Sequence, residues 1–348
     1  MKRKRLFCIL LFFACVTSLL AGEKSSLPRN GWFTFAPYGK SLLSDMHPYF
    51  VRLDITGNSN EQAFDFANTG KNYRASTQGC FGFDAPIWNG NFGTDNQFGF
   101  SITLAAHAYL WLDLFEPLTA PVINTDYRIG APTHTFIHRL NKKFVKNYSV
   151  AWTPFRHEST HVGDELQIQR MEAGYAIRRV NVSYNFTELV FTLNEPEDRA
   201  ASCHTFRAGL MLLWNPKEGW YSIKDFAGDG DASLAHPRIS PWEAYFQYQY
   251  QTPTSKHGFQ GVVSAEIRNR AVYGYDLYLK KGETDSYRSD YRRFTYNIFL
   301  GIRYNIPGYD GYFSRFALGA RLYHGNCPFG QFRSLDHFSL FGLSMVFQ

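Results

Sequence analysis

The chain reads as an all-β protein, a transmembrane antiparallel up-and-down β-barrel of about twelve strands. Three observations lead there: a long two-residue alternation, a leader-like amino terminus and an aromatic content of 18%. From Gln97 to Asp113, Phe98, Phe100, Ile102, Leu104, Ala106, Ala108, Leu110 and Leu112 fall on one side. Gln97, Ser101, Thr103, His107 and Asp113 fall on the other, among small residues, Tyr109 and Trp111. A strand alternates its side chains between two faces, so this segment has one oily face and one mostly polar face. A barrel in a bilayer needs that order, with apolar bands outward, polar positions inward and aromatic girdles at both interfaces.

Lys2, Arg3, Lys4 and Arg5 precede the apolar run from Leu6 to Leu20 and the small residues Ala21 and Gly22. That is the layout of a secretory signal peptide, assigned to residues 1–21. Residues 22–47 read as an irregular periplasmic lead-in and 48–348 as the barrel. No other run approaches the ~20 apolar residues of a membrane-spanning helix. The formal charge of +6 includes the four leader cations and falls to +2 without them, so nothing points to nucleic acid. Cys80, Cys203 and Cys327 are odd in number, and disulfides do not build this fold.

The alternation recurs in order. It begins at Tyr49, Val51, Leu53 and Ile55, continues around Gln78 to Ala85, and is strongest at Gln97 to Asp113. Ile123, Tyr127 and Ile129 then oppose Asn124, Asp126 and Arg128, and Tyr148, Val150 and Trp152 oppose Ser149, Ala151 and Thr153. Gly174 to Leu193 is one long strand or a hairpin broken near Tyr184, followed by His204 to Trp214. Four more strands center on Trp242 to Gln251, Phe259 to Arg268, Arg293 to Asn305 and Arg315 to Tyr323. Phe341, Leu343, Met345 and Phe347 close the chain. Counting Gly174–Leu193 once gives an even number, which puts both termini on one side. The long connections at 57–76, 215–241 and 271–290 then share the outer side, and the Thr252-Pro253-Thr254 and Pro307-Gly308-Tyr309 turns share the periplasmic side. The expected location is the bacterial outer membrane, with outer-membrane lipids as partners and the barrel-assembly machinery engaging the aromatic-terminated last strand. Oligomeric state is not legible.

The densest chemical constellation runs from Arg156 to Glu165: His157, Ser159, His161, Gly163, Asp164 and Glu165 lie at the end of the fifth strand. Residues two apart on a strand share a face ~6.6 Å apart. His157 as base, Ser159 as nucleophile and Glu165 returning after the Gly163-Asp164 turn to orient the imidazole would make an acyl hydrolase. The outer-membrane phospholipase A and the lipid A deacylase resemble this in carrying a His-x-Ser pair on a barrel strand, with asparagine where this chain has Thr160. Uninterrupted alternation puts His157, Ser159 and His161 in the lumen with Ser149, Ala151 and Thr153; a bulge at Pro154 would reverse this. The alternative is a hydrogen-bonded rim network. An extended strand holds His157 and His161 about 13 Å apart, too far for one metal ion, and Asp229 and Asp231 in the 215–241 loop lack further ligands. Neither a metal nor a cofactor is expected.

Ser41 to Met46, Asn124 to Gly130, His157 to Glu165, Asn326 to Phe332 and Gly342 to Phe347 resemble successive blocks of the bacterial family called domain of unknown function 1207. Cys327 stands where a small residue such as serine is expected. The resemblance implies an outer-membrane-type barrel and assigns no chemistry. The leading expectation is therefore a barrel acting as a pore or structural envelope protein. Inward Asp126, Arg128, Glu243, Glu266, Arg268, Arg293, Arg303, Arg315 and Arg321 would favor anions in an open lumen. The second expectation is a lipid-modifying hydrolase using His157 and Ser159.

Overall fold

A computed structural model describes residues 30–34, 40–58, 75–113, 122–140, 142–163, 178–180, 182–197, 200–214, 223–225, 242–274, 288–307, 313–330 and 338–348. The signal peptide, Asp164, Glu165, Asp229 and Asp231 lie outside the described residues, as does the side chain of Arg293. The strands are β1 (Gly31–Trp32), β2 (Val51–Asn58), β3 (Ala75–Phe92), β4 (Phe98–Leu112), β5 (Val122–Gly130), β6 (Thr133–Arg139), β7 (Asn147–Val162) and β8 (Arg178–Val180). They continue as β9 (Val182–Leu193), β10 (Cys203–Trp214), β11 (Ile223–Asp225), β12 (Trp242–Gln251), β13 (Phe259–Gly274), β14 (Arg288–Asn305), β15 (Arg315–Gly325) and β16 (Phe338–Phe347). Every pairing is antiparallel, and β16 closes on β2, with Phe347 opposite Val51 and Leu340 opposite Asn58. β5 and β6 pair with successive halves of both β4 and β7, so together they form one stave, interrupted at Ala131-Pro132. Among the described residues the barrel has twelve staves. β1 pairs beside β3, and β8 pairs with β11 apart from the barrel.

Alternation builds the wall. In β4, each residue from Gly99 to Trp111 in steps of two is buried and each residue between is more accessible, so the apolar set faces outward. β10 and β12 alternate in the same way, and outward Phe206, Leu210, Leu212, Phe246 and Trp242 are all exposed. Aromatic pairs gather near the short-turn end: Phe92 with Phe98, Phe98 with Phe136, Tyr148 with Phe191, Phe206 with Tyr248, Phe259 with Tyr304, and Phe316 with Phe347. Such a belt suits a membrane interface.

Several details differ from the sequence reading. Ile123 is buried inside instead of facing outward, because the ladder shifts register between Trp111 and Leu112. Tyr49 also turns inward, its ring beside the Arg156 guanidinium, since the barrel stave begins only at Val51. β9 runs unbroken through Tyr184 and begins at Val182, while Arg178–Val180 pairs elsewhere.

The lumen is filled from both ends. Residues 41–47 run inside it: the Leu43 N–H donates to Gln249 Oε1 at 3.1 Å, the Ser44 N–H to Ser264 Oγ at 3.1 Å, and Asn297 Nδ2 to the Ser44 carbonyl at 2.7 Å. From the opposite end, Arg270 donates to the Cys327 and Pro328 carbonyls at 2.7 and 2.9 Å. The Phe329 ring stacks on Tyr109 and Trp111, both with centroids 4.8 Å away, and Met46 joins the same buried cluster. Buried ion pairs line the lumen around these segments: Asp54 with Arg52 and Arg321, Glu158 with Arg128, Glu266 with Arg268, and Glu195 with Arg207. Pairing makes buried charge tolerable where a lone charge would be costly.

Closure depends on a close backbone approach at the β16–β2 seam. A Cβ on Gly342 would lie 1.9 Å from the Ile55 carbonyl oxygen. Gly342→Val is expected to abolish the heat-modifiable migration that marks a closed barrel in mild detergent. A variant that still migrates as a compact, heat-modifiable species would contradict this account of the seam.

Candidate active site

The site arises from a break in alternation. On β7, Thr153 faces inward, Pro154 and Phe155 are both half-buried, and Arg156, Glu158 and Thr160 are buried. Pairing with β9 shifts register between Thr153 and Arg156, so the strand gains a bulge and its parity reverses. His157, Ser159 and His161 consequently face outward, correcting their lumen placement from uninterrupted alternation. Local contacts hold the bulge. The Ala131 N–H donates to the Phe155 carbonyl at 2.8 Å, opposite the break that Pro132 makes in the neighboring stave. Thr187 Oγ1 donates to the Pro154 carbonyl at 2.8 Å, and Trp214 Nε1 donates to Thr187 Oγ1 at 2.8 Å. A Cβ on Gly130 would fall 2.3 Å from the Phe155 oxygen, so a residue without one is needed there.

The polar set on the outer wall comes from two strands in direct register, His157 opposite Asn185 and Ser159 opposite Ser183. His157 Nδ1 lies 2.8 Å from Asn185 Oδ1, and Ser183 Oγ lies 3.3 Å from His157 Nε2. The amide oxygen can only accept, so the contact with Asn185 places the ring proton on Nδ1 and leaves the Nε2 lone pair toward the Ser183 hydroxyl. Ser159 Oγ makes its contact with His161 Nε2 at 3.2 Å, and the edge of Tyr127 packs against the His161 ring with centroids 6.0 Å apart. His157 and Ser159 therefore share a face but have different hydrogen-bond partners.

These residues interrupt an apolar wall in which Ile129, Trp152, Leu189 and Phe191 are exposed. Polar and ionizable groups on a lipid-facing wall are costly toward the bilayer midplane, which makes this cluster the candidate site. Its depth follows from the strand: His157 lies nine residues beyond Tyr148 of the aromatic belt, or about 20 Å along the barrel axis for a tilted strand. That places it near the far edge of an apolar band ~25 Å tall, close to the interface at the long-loop end.

Behind this face, the lumen charges form fixed contacts. Arg128 Nε donates to Glu158 at 3.0 Å; Asp126 accepts from Asn124 Nδ2 at 2.9 Å and from the Gly330 N–H at 3.0 Å. Arg268 Nε donates to Glu266 at 3.0 Å, Arg303 to Gln251 at 3.1 Å, and Arg321 to Asp54 and Asn297. Glu243 is buried, and Arg315 is half-buried at the turn end. Gly163 donates its N–H to the Ile123 carbonyl at 3.0 Å where β7 ends. Among the described residues no group of three histidine, cysteine or acidic side chains is arranged to hold a metal ion.

Sequence reasoning missed Ser183 and Asn185. Their signal was an inverted alternation, with Ser183, Asn185 and Thr187 set against Tyr184 and Phe186, which are buried in the lumen. The inversion becomes meaningful only once the β7 bulge has fixed which face is outward.

No family model matches the chain, and no curated protein does. Among solved structures it is similar to the outer membrane phospholipase A of Escherichia coli, at 12% identity and a TM-score of 0.47 over 86% of this chain and 90% of that one. It is similar to the translocator domain of the autotransporter NalP from Neisseria meningitidis, at 10% identity and a TM-score of 0.40 over 85% and 86%. The outer membrane protein OprD of Pseudomonas aeruginosa matches at 10% identity and a TM-score of 0.28 over 85% and 91%.

With residues 41–47 and 326–330 meeting inside the lumen and buried ion pairs around them, the folded protein is expected to give no steady conductance in planar bilayers. A stable, anion-selective current would show that the lumen opens.

Proposed function

We propose that this chain is an acyl hydrolase of the bacterial outer membrane that cleaves ester-linked fatty acid from membrane lipid, with His157 as general base and Asn185 as the residue that orients it. The observation that carries this reading is the His157 imidazole set between the Asn185 amide oxygen and a serine hydroxyl, on the wall that faces lipid. A base needs its proton-accepting nitrogen within reach of the hydroxyl and its other nitrogen held. The outward face supports a substrate arriving sideways from the bilayer, and the filled lumen leaves little support for a solute passing through. The resemblance to the domain of unknown function 1207 family is compatible with this reading and does not supply its chemistry. As part of the same proposal, β16, ending Met345-Val346-Phe347, is the segment engaged by the barrel-assembly machinery.

The test uses purified, heat-modifiable protein with phospholipid or lipid A in mixed micelles and measures released fatty acid. The wild type is expected to turn over. His157→Ala should lower the rate by about 10²–10⁴-fold, the usual contribution of a positioned base, and Asn185→Ala should lower it while heat-modifiability is retained. Folded wild-type protein that releases no fatty acid from either lipid class would end the hydrolase reading.

A further inference from the structure

Two serines stand opposite each other on β7 and β9, and the distances give their hydroxyls different partners. Ser183 Oγ lies 3.3 Å from the Nε2 of His157, the imidazole held by Asn185, whereas Ser159 Oγ lies 3.2 Å from His161 Nε2. We infer that Ser183 is the nucleophile and that Ser159, held by His161, donates the hydrogen bond that stabilizes the oxyanion. This assignment rests on the hydrolase reading. It departs from the pairing that the His-x-Ser spacing alone suggests.

The register makes the division of labor feasible. Ser159 and Ser183 are directly opposed on adjacent antiparallel strands, and such pairs have Cβ atoms ~4.5–5.5 Å apart. An ester carbonyl attacked by Ser183 therefore sits beside the second hydroxyl, whose donor must come within about 3 Å of the oxygen where negative charge develops. In the first step the Ser183 Oγ–carbon bond forms, the hydroxyl proton passes to His157 Nε2, and the carbonyl π pair moves onto oxygen. Ser159 donates its hydrogen to that oxyanion. Its own oxygen can accept from a protonated His161 Nε2, leaving the serine proton directed at the substrate. Collapse re-forms the carbonyl and breaks the bond to the lipid alcohol, which leaves with the proton from His157. Water then repeats the sequence on the acyl-Ser183 ester, giving His157 a proton as it attacks. Collapse returns that proton to Ser183 and releases fatty acid. His161 acts through Ser159 and is a positioning residue, packed by the edge of Tyr127.

The test treats folded wild-type protein in micelles with a fluorophosphonate, locates the adduct by peptide mass spectrometry and measures fatty acid release in parallel. The expected adduct is on Ser183 and is absent from Ser183→Ala. Ser159→Ala should still be labeled at Ser183, more slowly, with kcat reduced by about 10²–10³-fold and KM nearly unchanged, as for loss of one oxyanion donor. Ser159→Thr, which keeps the hydroxyl, should recover most of the rate. His161→Gln, which keeps a donor, should be faster than His161→Phe. An adduct on Ser159, or loss of all labeling in Ser159→Ala that still shows heat-modifiable folding, would overturn the assignment and leave the hydrolase standing. Fatty acid release with no adduct on either serine would do the same. No release and no adduct in the wild type would overturn both.

Discussion

The two-residue period of the β-strand is the constraint on which the whole molecule depends. A barrel wall separates hydrocarbon from a polar interior, and each residue's position in the alternation decides which of the two it meets. Most staves keep this register, and their surfaces follow from it: apolar rows outside, glutamine, serine and arginine inside. β7 breaks the period once, at Pro154-Phe155, and every residue after the break changes side. The interruption costs little because its neighbor is broken at the same level. Pro132 has no N–H to offer the ladder there, and the Ala131 N–H satisfies the Phe155 carbonyl. Two prolines on adjacent staves thus open one local defect, and the defect delivers a histidine and a serine to the lipid face.

The same period links the two faces of that strand. Glu158 and Thr160, which alternate with His157, Ser159 and His161, are fixed from the lumen side, Glu158 by Arg128 and Thr160 by its hydrogen bond to Asn124. A Cβ on Gly330 would come within 2.7 Å of Thr160 Cγ2, so the plug segment presses directly on the back of the site. A strand anchored this firmly on its inner side can hold outward side chains in fixed relation. Precise placement of reacting groups is a large part of what a catalytic surface supplies.

Much of the fold was legible because the alternation of β4, β12 and β14 is long and chemically clean. Shorter signals were less secure. β3 showed only its middle, since Gly79, Gly82 and Gly90 carry no hydrophobic label, yet it spans Ala75–Phe92. Thr133–Arg139 was not recognized because a proline separates it from the rest of its stave. Ile123 looked outward because its register shift lies in the pairing with Trp111 and Leu112, which a single strand's sequence does not display. For the site, the residues of β7 were visible as a motif, and Pro154 marked the possible bulge. Asn185 and Ser183 were not found, because what makes them partners of His157 is cross-strand register. Register is set by the bulge and by the length of the connection between β7 and β9, neither of which a motif encodes.

The amino-terminal plug has a consequence for how the molecule is made. Ser44 is bonded to Ser264 and Asn297, 220 and 253 positions further along the chain, while the seam joins the first complete stave, β2, to the last, β16. The segment that leads into β2 lies inside the ring which that seam completes. Once the ring is shut, its wall offers no gap through which the segment could pass sideways. Residues 41–47 must therefore be seated before β16 zips onto β2, or be drawn in afterward through the turn-end opening. Synthesis order and closure order meet at this one strand, and a chain that shuts before its leading segment has turned inward would have all its staves paired around an incomplete core.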